Sequence, residues 1–424
     1  MSVWPHRFIN HPVLALCIFI TTLTGGCSSL TTSVRVTGPS GKENSETLVH
    51  SFSIYPGDGY VPDSALVIDA AGSFYGTTAN GCGGSIDCAK LRPCRGCGTV
   101  FRLSASGKEA VLHSFRGGPG DGEYPVRTLV MDAEGNLYGT TTAGGAHDRG
   151  IVFKLTPTGR ETVLYSFKGN MGGGPSGFTP SALNIDAAGN LYGTTHFGGG
   201  SSNCKKGCGT VFKLTPQGSM TILHAFSGSP TDGSAPMAGL IMDSTGNLYG
   251  TTCQGGRYGD GTAFKIAPSG IETVMHSFFG SPMDGSCPAA RLDMDTTGDL
   301  YGTTWFGGDY SDGTIFKVAP SGAESVIRSF AGAPSDGRSP LARLVPDSAG
   351  NLYGTTSQGG ARNDGTVFRI SPAGAETILH SFSGVPSDGE DPSAAVTLGP
   401  DGNLFGTTSG GGAHNWGAVF EIRH

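Results

Sequence analysis

Gly-Asn-Leu-Tyr-Gly-Thr-Thr, at residues 135–141, returns unchanged at 189–195, 246–252 and 350–356. Three variants, GSFYGTT at 72–78, GDLYGTT at 298–304 and GNLFGTT at 402–408, bring the set to seven, with central glycines 52 to 63 residues apart. Self-similarity at a period near 50 residues marks an array, whose stacked units bury one another's faces and form a single body.

Other phrases recur around each copy in fixed order. In the second unit the runs 128–132, 136–141, 150–155 and 161–167 are short and rich in Val, Leu, Phe, Tyr and Thr, which reads as four strands. Asp132-Ala133-Glu134-Gly135 and Thr156-Pro157-Thr158-Gly159 supply the tight turns between them. No stretch carries a helical period. Seven units of four antiparallel strands predict an all-β chain folded as a seven-bladed β-propeller.

The phase of the repeat adds a prediction about closure. A GTVF-like third strand follows every YGTT, but the ETVLHSF-like fourth strand has no copy after Phe420. Its seventh copy stands at 46–52, ahead of the first full unit. An N-terminal strand that completes the last sheet removes two open edges. Residues 46–52 are therefore expected beside 417–422.

The GNLYGTT, GTVFKL and ETVLHSF phrases resemble those of the bacterial GloVer tandem-repeat proteins, over about residues 46–424. The resemblance implies an exported repeat protein, in a family whose members differ in how they are anchored to the cell, and assigns no enzymatic activity. The likeness to kelch and WD-repeat propellers extends to blade logic alone.

Composition fits this picture. The 424 residues include 72 glycines without a collagen triplet, and only 14% are charged, for a net charge of −7. Such a chain is rich in tight turns and still has apolar phrases to bury. No basic stripe is present, which excludes a nucleic-acid groove as the expected partner surface.

Residues 1–26 have Arg7 near their start, an apolar run over 13–23 and small residues leading into Cys27. This is the three-part pattern of a signal peptide. Leu-Thr-Gly-Gly-Cys also resembles the bacterial lipobox, which implies lipidation of Cys27, although Thr24 stands where leucine is usual. Plain secretion and an uncleaved anchor are the alternatives. Residues 27–45 read as a flexible tether, and residues 46–424 as the propeller. Placement at the outer membrane or cell surface is expected, with the chain acting as a monomer.

In a four-stranded meander, one rim carries the turns after strands one and three, which are clipped here. The other carries the YGTT-x-x-Gly-Gly loops, the inter-blade Asp-Gly-x-x-Pro segments and the insertions at 80–98 and 197–209. Variable loops on a rigid frame are where function tends to sit. The pair after Thr-Thr differs between copies, and His196, Phe197, Gln254, Trp305, Phe306 and Gln358 are the candidate ligand-binding residues near the channel mouth. Loop-on-loop packing is the plainer role for the same side chains. A glycan or a protein is the expected ligand, with no catalytic residue, metal or cofactor. A rival reading is an envelope enzyme acting on polysaccharide through His196 and Asp232. A third is a purely structural surface protein.

His50, His113, His224, His276 and His380 share one repeat position, filled by Tyr165 and Arg328 in the other copies. Equivalent residues of different blades lie far apart in a ring, so these are expected to be half-buried structural groups that share no metal. The Asp-Gly pairs, such as Asp232-Gly233, read as turn chemistry.

Eight cysteines remain beyond Cys17 and Cys27. An even number in an exported chain favours disulfides. Cys204 with Cys208 and Cys253 with Cys287 are the expected pairs. Cys82, Cys88, Cys94 and Cys97 allow three connectivities, of which Cys82–Cys88 with Cys94–Cys97 is preferred, and a four-cysteine zinc site is the alternative.

Overall fold

Strand four of each unit leads through a short link into strand one of the next, and the result is seven antiparallel sheets arranged as the blades of a propeller. The computed structural model describes residues 33–36, 44–54, 57–81, 96–105, 107–125, 127–169 and 177–424. Cys27, the proposed signal peptide and Cys82, Cys88 and Cys94 lie outside them. No helix occurs among the described residues.

Blade four shows the plan. From the channel outward its strands are Ile241–Met242, Leu248–Thr252, Thr262–Ile266 and Glu272–Ser277. The third strand is buried along nearly its whole length, whereas the fourth is only partly covered. A strand covered on both faces by neighbouring blades reads as a mostly apolar run, and Thr-Ala-Phe-Lys-Ile does so apart from Lys265 and Thr262, whose hydroxyl is hydrogen-bonded.

The repeated phrase is explained by what touches it. A Cβ on Gly250 would come within 2.7 Å of both Phe264 Cζ and Leu240 Cδ2. Thr251 Oγ1 donates to the Ala290 carbonyl of the next blade at 3.2 Å. Thr252 Oγ1 shares a 2.8 Å hydrogen bond with Thr262 Oγ1 on the neighbouring strand. The glycine admits a phenyl ring, one threonine ties blade to blade, and the other ties strand to strand.

Aromatic packing then welds the blades. Each of the seven interfaces holds one phenylalanine from a GTVF phrase against one from an HSF phrase, with ring centroids 4.9–5.5 Å apart. Such pairs add about 0.5–1.5 kcal/mol each beyond the area they bury.

The ring closes as the missing seventh copy foretold. Asn44–Ser51 pairs antiparallel with Ala418–Arg423, with Glu46 opposite Ile422 and Ser51 opposite Ala418. Across the same seam Thr407 Oγ1 donates to the Ser64 carbonyl at 3.0 Å. The expectation of a flexible tether over 27–45 needs correction in part. Ser33–Val36 pairs with residues 44–47 as a fifth strand on blade seven. The donated strand would otherwise present a row of unpaired backbone groups, and Ser-Val-Arg-Val has the β-branched content to cover them.

Candidate binding sites on the long-loop rim

The link before each blade contains a non-glycine residue in the left-handed region just ahead of a proline, among them Ala235 (φ 57°), Cys287 (φ 56°) and Ser339 (φ 57°). Its N–H and C=O clasp two blades at once. Cys287 donates to the Asp260 carbonyl at 2.8 Å, and its own carbonyl accepts from the Trp305 N–H at 3.1 Å. This clasp holds the residues after Thr-Thr in short ladders, in which Gln254 lies opposite Ser234, Phe306 opposite Ser286 and Gln358 opposite Arg338.

The six candidate residues do not form one constellation. His196, Phe197 and Gln254 line a groove of about 520 Å³ between blades three and four, together with Asn203, Lys206 and Ser234. Its wall is the insertion closed by the Cys204–Cys208 disulfide. Trp305 and Phe306 stack on each other at 4.9 Å in blade five, with Phe306 43% exposed, and form a separate aromatic step. Gln358 stands exposed on blade six.

Two roles change with the geometry. Phe197 offers no open stacking face, because Phe178 stacks on it at 5.1 Å and Lys206 Nζ sits 4.8 Å from its centroid. It is a packing residue of the groove wall. Burial, then Arg127 and Lys206, push the His196 imidazolium down to a pKa of about 4, so at neutral pH it is an uncharged ring able to donate one hydrogen bond and accept another. Asp232 does not line the groove. Its carboxylate accepts from Ser227 N–H at 2.7 Å and Gly233 N–H at 2.6 Å, and faces His224 Nε2 at 3.2 Å. The His196–Asp232 pair of the enzyme reading is therefore not assembled.

Neither Trp305 nor His196 lines the channel cavity. The residues just after each inter-blade proline do so, enclosing about 120 Å³ among Asp63, Arg127, Arg291, Arg343 and small groups such as Ala238 and Ser393. Asp63 accepts from Ser393 Oγ at 2.8 Å. Burial raises the Asp63 carboxyl, and Arg127 only partly offsets it. Burial and the neighbouring Arg343 lower Arg291 to about 10, which leaves it charged at neutral pH. The channel is thus a basic plug. Sequence reading missed it because the arginines follow their prolines by two or three places, Pro125 to Arg127 but Pro288 to Arg291.

The turn aspartates on the clipped rim are saturated by protein donors. Asp243 Oδ1 accepts from the Thr245 and Asn247 N–H groups, and Oδ2 from Asn247 Nδ2 and Tyr249 Oη. The second expected disulfide, Cys253–Cys287, is formed and staples blade four to the link before blade five. Cys97 is buried, and the pairing expected for it with Cys94 lies outside the described residues. Among the described residues, five groups of His, Asp and Glu have ligand atoms within 4.8 Å of one another, including Glu46 with His380 and Asp388.

Comparisons with known proteins agree with the architecture. The profile of the Gloeobacter/Verrucomicrobia repeat matches residues 17–205 and 179–420. No curated protein matches the sequence. Among solved structures, the extracellular domain of a putative one-component system from B. thetaiotaomicron superposes with a TM-score of 0.53 at 13% identity, covering 90% of this chain and 44% of that one. The extracellular domain of a putative hybrid two-component system from the same organism gives 0.51 at 12% identity, covering 89% and 43%. The chain spans under half the length of these solved chains, and at such identity the likeness speaks for the fold alone.

Proposed function

The chain belongs to the Gloeobacter/Verrucomicrobia repeat family, and from that premise we propose that it is an exported, non-catalytic binding module that takes an oligosaccharide in the groove between blades three and four. The observation that carries the reading is the convergence of His196, Gln254, Asn203 and Ser234 on one cavity of about 520 Å³. Neutral imidazole, amide and hydroxyl groups are both donors and acceptors, which is the complement a sugar hydroxyl requires. A frame stapled at Cys204–Cys208 and Cys253–Cys287 holds those groups in place before the ligand arrives, which lowers the ordering cost of binding.

Lipidation at Cys27 would tether the module to a membrane, in keeping with the signal pattern and the family's varied anchors. Engagement of Asp232 by His224 and Ser227 favours binding over hydrolysis.

The test is a glycan panel measured for both equilibrium binding and turnover. His196→Ala and Gln254→Ala should each weaken capture at least tenfold while Gln358→Ala leaves it unchanged. Turnover of a captured glycan would favour the enzyme. Capture that survives both groove substitutions would move the site elsewhere, with Trp305→Ala and Phe306→Ala as the next variants.

A further inference from the structure

The conserved spacing of histidine and aspartate within a repeat hides a third partner that only the ring brings in. At each of five interfaces, a histidine on an outer strand faces the aspartate eight residues later and the glutamate that opens the outer strand of the next blade. His276 Nε2 lies 2.9 Å from Asp284 Oδ2, and Glu324 completes that group. The most enclosed group is at the closing seam, where Glu46 is 2% exposed, Asp388 4% and His380 6%. Both carboxylate oxygens of Glu46 are buried there without a hydrogen-bond partner.

Two further interfaces of the same ring act as internal controls. At the sixth, Arg328 replaces the histidine and its Nη2 bridges Asp336 at 2.6 Å and Glu376 at 2.7 Å. There a tethered cation fills the space between two buried carboxylates. At the remaining interface Tyr165 replaces the histidine, Met220 stands in place of the glutamate, and Gly172-Gly173-Gly174 in place of Asp-Gly. The acid pair is kept where arginine replaces the histidine and is lost where uncharged Tyr165 does. Paired carboxylates taken out of water need either a proton on one of them or a positive charge between them. An imidazole is shorter than an arginine and leaves room for an ion.

We infer that the His–Asp–Glu groups are sites for a divalent transition ion of the zinc class, with Glu46–His380–Asp388 the most complete. One imidazole and two carboxylates suit such ions better than calcium or magnesium, which favour all-oxygen sets. Bond lengths of about 2.0–2.1 Å in a tetrahedron put neighbouring donor atoms about 3.3 Å apart. His380 Nε2 lies 3.2 Å from both Asp388 oxygens, and His113 Nε2 lies 3.7 Å from Glu161 Oε2. The aspartates are already oriented by backbone donors, as in the 2.7 Å bond from Gly389 N–H to Asp388 Oδ1 and the 2.8 Å bond from Ser383 N–H to Oδ2. That is the outer support a metal ligand requires. An ion at this seam would bind the donated strand to blade six.

The experiment uses the untagged full chain, stripped of metal and titrated with Zn²⁺, with Co²⁺ as an absorbing probe and Ca²⁺ and Mg²⁺ as controls. Bound ions per chain and Tm are read. The wild type should take up Zn²⁺ saturably and gain several degrees in Tm. Glu46→Gln should lower the count by one and remove most of the Tm gain, while matching the wild-type Tm in chelator. Arg328→His should raise the count by one, because it recreates the group at the sixth interface. Absence of Zn²⁺ uptake would overturn the inference. So would uptake that neither substitution changes, which would be adventitious or at the cysteines of blade one.

Discussion

Gly250 lies against the ring of Phe264 so closely that a methyl group at its Cα would come within 2.7 Å of Cζ. The contact is between an inner strand and its neighbour, and the ring in turn meets Phe226 from the previous blade at 5.1 Å. Gly250→Ala should therefore cost about 1–3 kcal/mol by overpacking. Gly120, with nothing within 4 Å of its added Cβ, serves as the contrast, and Gly120→Ala should stay within about 0.5 kcal/mol. Urea denaturation of the two variants reads the difference.

Phe52 is fully buried and packs edge-on against Phe101 at 5.1 Å. Phe52→Ala should cost about 3–5 kcal/mol, although Phe52 belongs to the segment ahead of the first full unit. A complementary check is cross-linking. Thr47 lies opposite Glu421, and opposed residues of an antiparallel pair stand about 4.5–5.5 Å apart at Cα. Thr47→Cys with Glu421→Cys should yield a disulfide-linked peptide on digestion of the oxidised protein.

The two disulfides should differ in worth. Cys253–Cys287 closes a separation of 34 residues and Cys204–Cys208 one of 4. Loop-closure entropy gives about 4 kcal/mol for the first and about 2 kcal/mol for the second. Replacing Cys253 and Cys287 together by serine should lower Tm more than replacing Cys204 and Cys208, as calorimetry would show.

Acid should loosen the clipped rim. Burial alone would raise Asp132, Asp186 and Asp243, but hydrogen bonds from the following Asn side chain and backbone outweigh it and hold each below the usual range. A carboxyl depressed on folding stabilises fully above its unfolded value of about 4, and that stability is lost as pH falls through the folded value. Stability measured from pH 6 to 2 should decline below about pH 4. Asp243→Asn should flatten that decline and be less stable than wild type at pH 7.

His196 carries a prediction of the opposite kind. With its pKa held at about 4, the ring stays neutral above pH 5. Ligand affinity should be level from pH 5 to 8 by calorimetric titration, whereas an exposed histidine would impose a step near 6.5.

The ring was legible because the array repeats the same instructions seven times. Gly250, Thr251 and Thr252 each meet a partner that recurs with them, and the displaced strand at 46–52 had one place left to go. The groove was only half legible. His196 and Gln254 belong to different units, and their meeting depends on which loops the ring sets side by side. Trp305 fell outside because its ring stacks on neighbouring Phe306 in blade five. The His–Asp–Glu groups are hidden in the sequence because equivalent histidines of different blades share no partner. Their true neighbours are the aspartate eight residues on and a glutamate one blade away. The joint replacement of His by Tyr165 and Glu by Met220 was the available signal.

Glu46 and Ile422 are opposed in the sheet yet 376 positions apart in the chain. During synthesis the strand carrying Glu46 is made early, and its mate in blade seven, Ala418–Arg423, is made only at the end. Final assembly therefore waits for the entire array, and contact order alone makes that step slow. A chain cut short before Ala418 would keep an unsealed flank of bare backbone, open to proteases and to other copies of itself.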